Sequence, residues 1–153
     1  MIAAGNANLT SDLTVIQDSE EIIPYDGTVV TSYFNIDAFG VITCLASGSY
    51  FMEFDAQVGW VGVTDSSSVG FYYRVSGNIL YNDVTYVSVN NSNFASQYTR
   101  SLFLTLGVGQ TVQWFYYQPS VLGSANTILV ANTNFPATAN ANAASVKFWL
   151  VAD

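Results

Sequence analysis

Apolar and polar side chains alternate with a period of two along much of this chain, most clearly in GSYFMEFDA, residues 48–56. On an extended strand Tyr50, Met52, Phe54 and Ala56 share one side, and Phe51, Glu53, Asp55 and Gln57 share the other. The first set is a core face. The second places an aromatic ring beside two carboxylates, so Phe51 needs a shelter that a wet strand face does not provide.

The same alternation, bounded by Gly, Asn, Asp and Ser, predicts strands over Leu13–Ile16, Ile22–Pro24, Val29–Ile36, Val41–Leu45, Tyr50–Val61, Gly70–Val75, Asn78–Val89, Ser101–Leu106, Thr111–Gln118 and Ser145–Val151. No helical stripe at i, i+3, i+4, i+7 is sustained. Asp26-Gly27, Ser76-Gly77-Asn78 and Gly107-Val108-Gly109 are turn signals. Asp65–Ser68 and the Asn/Ala-rich stretch from Ala131 to Ser145 read as exposed loops. About ten short strands without helices predict an all-β fold, an antiparallel two-sheet jelly-roll sandwich.

Residues 1–20 are small, polar and weakly patterned, ending in Asp18-Ser19-Glu20-Glu21. Two readings are open: a terminus with one edge strand, or an N-terminal arm that docks on a partner through Leu9, Leu13 and Val15. Residues 21–153 form the folded domain on either reading, and no internal repeat divides them.

Composition narrows the function. The chain of 153 residues is 50% hydrophobic and 15% aromatic but only 9% charged, against about 25% in an average soluble domain. So little charge, with aromatics between, suits subunit contacts better than free surface. The net charge of −8, with Arg74, Arg100 and Lys147 the only cations, leaves no electrostatic basis for binding nucleic acid or an anionic membrane. Cys44, the only cysteine, reads as a buried thiol in the apolar run VITCL. The opening MIAAGNANLTSDL has neither a basic n-region nor an apolar h-region, which predicts synthesis in a cytoplasm. No run reaches the ~20 apolar residues of a membrane helix.

The order of the runs brings a family into view. AFGVITCLASGSYFMEFDAQV, through Gly48, Tyr50, Phe51, Phe54 and Ala56, resembles the aromatic-rich middle strands of the tumour-necrosis-factor and complement globular-head superfamily. SLFLTLGVGQTVQWFYYQ resembles that family's next strand pair through Ser101–Leu106, Gly109, Gln110, Val112 and Trp114, and SVKFWLVAD resembles its closing strand. The loops after Val89 and before Ser145 have no counterpart, and no ligand-binding residue carries over. The resemblance implies a ten-stranded jelly roll that assembles as a homotrimer. One sheet of each subunit then packs on its neighbours, which would shelter Phe51 together with Phe115, Tyr117 and Trp149 at the trimer interface. A loop of the same subunit covering these rings is the competing arrangement.

Chemistry is sparsely equipped. Without histidine the chain lacks the commonest general base and zinc ligand, and no phosphate-cradling glycine motif occurs. Neither a cofactor nor a metal is expected. Glu53 and Asp55, about 6.7 Å apart on one strand face, approach the roughly 6.5–9.5 Å of inverting glycosidases. Catalytic carboxylates face each other across a cleft, however, and these are neighbours. Asp65-Ser66-Ser67-Ser68 and Asn82-Asp83 offer oxygens for calcium without a calcium-loop spacing. The sequons Asn8-Leu9-Thr10 and Asn90-Asn91-Ser92 are expected to go unused, since no secretory signal is visible.

Three functions compete. The first is a non-enzymatic virion structural protein, a trimeric bacteriophage decoration, spike or fibre head. It would be made in the host cytoplasm, contact capsid or other virion proteins and meet host surface glycan or receptor. The second is a soluble lectin-like module that stacks Tyr72, Tyr73, Tyr81 and Tyr98 on sugars. The third is a glycosidase using Glu53 and Asp55. The first is the leading expectation.

Overall fold

The alternating runs become strands in the computed structural model, which describes residues 1–29, 31–60, 67–79, 84–89, 96–120, 127–129, 131 and 142–152. Fourteen strands form among the described residues: β1 (Ile2–Leu9), β2 (Leu13–Thr14), β3 (Glu20–Ile22), β4 (Gly27–Val29), β5 (Phe34–Ile36), β6 (Ile42–Cys44), β7 (Gly48–Trp60), β8 (Ser67–Val75), β9 (Asn78–Ile79), β10 (Thr85–Val89), β11 (Ser96–Leu106), β12 (Thr111–Tyr117), β13 (Thr127–Leu129) and β14 (Ala144–Ala152). They make two antiparallel sheets. The first runs β2-β13-β7-β14-β1-β4, with β11 along the opposite edge of β7; the second runs β10-β8-β12-β6-β5, with β3 beside β12 and β9 beside β8.

The core lies between the sheets and is built from the faces that alternation assigns to it. Tyr50, Met52, Phe54, Ala56 and Val58 of β7 are buried, as are Val112, Trp114 and Tyr116 of β12 and Val146, Phe148 and Leu150 of β14. Phe54 of the first sheet stacks on Trp114 of the second, centroids 4.0 Å apart and planes 9° from parallel. Phe71 stacks on Tyr98 at 5.2 Å, again from sheet to sheet. Each ring buried this way contributes about 1.5–3 kcal/mol and holds the sheets in one relative position. The turn before β6 closes tightly on this layer. Gly40 has φ +86°, and a Cβ there would lie 2.1 Å from the Ile23 carbonyl oxygen, so only glycine fits.

The structure corrects the reading of residues 1–20 as an arm. β1 lies inside the first sheet, in register with β14 from Ile2↔Leu150 to Leu9↔Ala144 and with β4 from Asn6↔Val29 to Asn8↔Gly27. Leu9 and Val15 are 4% and 3% exposed, and Leu13 packs half-buried on the same core. These side chains cannot dock on a particle because they already hold the two sheets together. The segment escapes a period-of-two reading because its register slips between Ala3 and Gly5. Its buried positions are therefore Ala4, Ala7 and Leu9, and two of the three are alanines.

Other boundaries shift as well. The single strand expected over Asn78–Val89 is β9 and β10, with 80–83 outside the described residues; β13 was not expected at all. In the stretch read as a loop from Ala131, residues 132–141 lie outside the described residues. Ala131 and Ala143 are buried, and Ala144 already belongs to β14.

Asp26 ties the start of β4 to the end of β1. Its Oδ1 accepts from the Thr10 N–H at 2.7 Å and its Oδ2 from the Ser11 hydroxyl at 2.9 Å. Slight burial works in the opposite direction, but these hydrogen bonds hold the carboxyl below its ordinary value of 3.8. A carboxyl lowered in the folded chain stabilises fully above its unfolded value and loses that contribution as pH falls through the folded one. Asp18, which accepts from the Ser120 N–H at 2.8 Å, is lowered by that bond in the same way. Asp26→Asn should therefore flatten the fall in thermal midpoint below about pH 4, measured by circular dichroism against the parent chain; an unaltered acid limb would refute the assignment.

Candidate functional site

The outer face of the first sheet answers where Phe51 goes. Register sets Phe103 of β11, Phe51 of β7, Trp149 of β14 and Ala3 of β1 side by side in one row across four strands. Phe51 lies 5.2 Å from the Phe103 ring and 5.6 Å from the Trp149 ring, centroid to centroid. Phe51 and Trp149 are thereby half-buried, whereas Phe103, at the sheet edge, remains 70% exposed. A single chain shelters two rings by leaving the third in water.

The next two rows are polar. Lys147 lies opposite Glu53, with its Nζ 3.4 Å from Glu53 Oε1 and 3.7 Å from Asp55 Oδ2. Asp55 also accepts from Thr99 Oγ1 at 2.6 Å and from Ser145 Oγ at 3.4 Å. Both carboxylates turn to one ammonium and lie on one face of one strand. A glycosidase pair instead faces across a cleft that admits the glycosidic bond. Among the described residues no group of three or more His, Cys, Asp or Glu is placed to hold a metal. Asp65, Ser66 and the Asn82-Asp83 pair lie outside the described residues, as do the sequon at Asn90 and Tyr81.

Phe115 and Tyr117 belong to the other sheet. Phe115 is on its outer face, 5% exposed, stacked on Tyr72 at 5.4 Å with planes 10° apart. The Arg74 guanidinium lies over the same ring, 4.5 Å from its centroid, and is paired to Glu20 of β3 at 2.5 Å. Tyr72 donates its hydroxyl to Glu20, and its ionisation is pushed up by burial first and then by that carboxylate. Phe115 is thus covered by its own subunit, and the assignment of it to a trimer interface is corrected. Tyr117, half-buried, pairs with Glu20 of β3 on one side and Gly70 of β8 on the other; it shares no sheet with Phe51 and Trp149. Phe115→Ala should cost the subunit about 3–5 kcal/mol, read by denaturant unfolding, with no change of mass in light scattering; a change of mass without loss of stability would restore it to an interface.

The tyrosines expected to stack on sugars are also placed elsewhere. Tyr72, Tyr73 and Tyr98 are 6%, 5% and 8% exposed, because alternation on β8 and β11 turns Tyr73 and Tyr98 into the core and Tyr72 under the Glu20 cluster. Phe103 is the functional candidate that the sequence reading missed. Its signal was present in SLFLTL, where Ser101, Phe103 and Thr105 form the side opposite Leu102, Leu104 and Leu106.

No family model matches the chain, and no curated protein matches it. Among solved structures it is similar to the globular domain of zebrafish complement 1qA protein, at 12% identity, covering 99% of this chain and 98% of that one, with a TM-score of 0.54. The chain has the jelly-roll fold of the complement and tumour-necrosis-factor kind.

Proposed function

We propose that this chain is a non-enzymatic binding module that works as a homotrimer, closed through the outer face of its first sheet and displayed on the outside of a virus particle. The row Phe103–Phe51–Trp149 carries the reading: three large rings share one face, and the outermost is 70% exposed in the isolated chain. A contiguous apolar strip of this kind marks a contact surface. A second copy seated there would bury it, with roughly 1.5–3 kcal/mol per ring before association costs. The likeness to a complement globular domain, at 12% identity, supports the jelly-roll fold on which the reading is built.

Non-enzymatic action is supported by the polar rows, in which both strand carboxylates are engaged by Lys147. The setting on a particle is supported by a net charge of −8, which suits a protein outside the shell rather than one packed on genome. With β1 built into the sheet, attachment falls to surfaces other than residues 1–20. Light scattering should give the mass of three chains at micromolar concentration, and antibody raised to the protein should label intact particles. A stable monomer would end the trimer reading, and unlabelled particles would end the setting.

A further inference from the structure

The outer face of the second sheet looks away from the row that copies are proposed to share, and it carries aromatic groups of its own. Register places Tyr86 of β10, Gly70 of β8, Tyr117 of β12 and Glu20 of β3 in one row across four strands. Gly70 lets this row lie flat. A Cβ there would stand 3.0 Å from Tyr86 Cε1 and 3.2 Å from its Cζ, so the Tyr86 ring lies across the bare backbone of β8. Val84 reaches the same spot, with its Cγ1 3.1 Å from that Cβ position. Tyr86 and Val84 are nevertheless 47% and 44% exposed, and Tyr117 is half-buried. One face of the Tyr86 ring is laid on the sheet and the other is open to solvent.

The polar groups beside this platform compensate one another. Glu20, exposed at the end of the row, is matched by Arg74. Its two carboxylate oxygens take one bond each, from Arg74 and from the Tyr72 hydroxyl. A carboxylate offers about four acceptor positions, so others are left for donors from outside. Beyond Tyr86, on the side away from Tyr72, the Ser68 and Ser88 hydroxyls share one hydrogen bond at 2.7 Å and keep further donor and acceptor capacity. Two strand spacings, about 9.6 Å, separate Tyr86 from Tyr117, and a third reaches Glu20. An open aromatic face takes C–H groups, and the unspent carboxylate and hydroxyl positions take hydroxyls. The paired Glu20 and Arg74 gather neither an anion nor a cation. The span is longer than one sugar ring.

We infer that this row binds a short linear stretch of neutral glycan, with one ring stacked on Tyr86 and the following units running over Tyr117 toward Glu20. The inference rests on the binding-module reading and supplies its ligand class. Because the second sheet faces away from Phe103, Phe51 and Trp149, the platform stays open whether or not copies meet through the first sheet.

The test is isothermal titration calorimetry of the full chain with cellohexaose, maltohexaose and mannohexaose, and with a proline-rich decapeptide as the rival occupant of an aromatic platform. At least one sugar should bind saturably. Tyr86→Ala should weaken that binding about tenfold with an unchanged thermal midpoint, whereas Tyr86→Phe, which keeps the ring, should leave it nearly unaltered. Gly70→Ala removes no group but lifts the Tyr86 ring, and it should weaken binding too; it keeps the test valid if Tyr86→Ala loses stability. Sugar binding that both Tyr86→Ala and Gly70→Ala leave untouched overturns the platform and spares the binding-module reading. Saturation by the peptide and by no sugar overturns the glycan and also spares that reading. Silence from all four probes overturns the platform and counts against the binding-module reading with it.

Discussion

Removing residues 1–9 should abolish the fold. β1 supplies seven registered partners to β14 and three to β4, and it buries Ala4, Ala7 and Leu9. At about 1 kcal/mol net per ladder hydrogen bond, with the burial of Leu9 added, the loss is on the order of 10 kcal/mol. That equals the whole stability of an ordinary domain, about 5–15 kcal/mol. It would also leave the edges of β14 and β4 open within one sheet, a template for aggregation. The expected result is insoluble protein or a collapsed, poorly dispersed NMR spectrum. A truncated chain that kept a cooperative thermal transition near that of the parent would return residues 1–9 to the status of an arm.

Phe103→Asp should convert the proposed trimer into monomers while leaving each monomer folded. Phe103 is 70% exposed within one chain, so the subunit loses little more than an edge contact with Phe51. In the trimer the same change would place a carboxylate in each of three seams. Three lost ring burials at about 2 kcal/mol each make about 6 kcal/mol, or roughly four decades in the association constant, before the cost of desolvating the charge. Light scattering at micromolar concentration measures the mass, and near-ultraviolet circular dichroism reports the packing of Phe54 on Trp114. A trimer that survived the substitution would show that the row is not where copies meet. Phe51→Asp is the less clean variant, because Phe51 already packs on two neighbours in its own chain.

Much of this architecture could be read from the alternation of side chains. The core faces of β7, β12 and β14 follow directly, since each strand buries every second residue against the opposite sheet. β1 could not be read in this way. A bulge breaks its period, and its buried positions are mostly alanine, whose small side chain carries almost no hydropathy signal. The site was half legible. Phe51 and Trp149 stand out because each opposes a core face on its own strand, yet Phe115 satisfies the same rule and is covered by Tyr72 and Arg74. What separates the two cases is β3, a short strand laid beside β12 that brings Glu20 to hold Arg74 down. A strand of three residues with two glutamates gives no warning that it will do so. Phe103 was missed for the opposite reason: in a leucine-rich run an outward aromatic reads as one more core residue.

The pairing of Ile2 with Leu150 carries a practical implication. The start of β1 and the end of β14 thus lie at one pole of the sandwich, on neighbouring strands. A tag, anchor or second domain spliced to either end would therefore project in nearly the same direction. A circularly permuted version, with the old ends bridged by a few glycines and the chain reopened at Gly77, where an added Cβ would meet nothing within 4 Å, would need no strand to move.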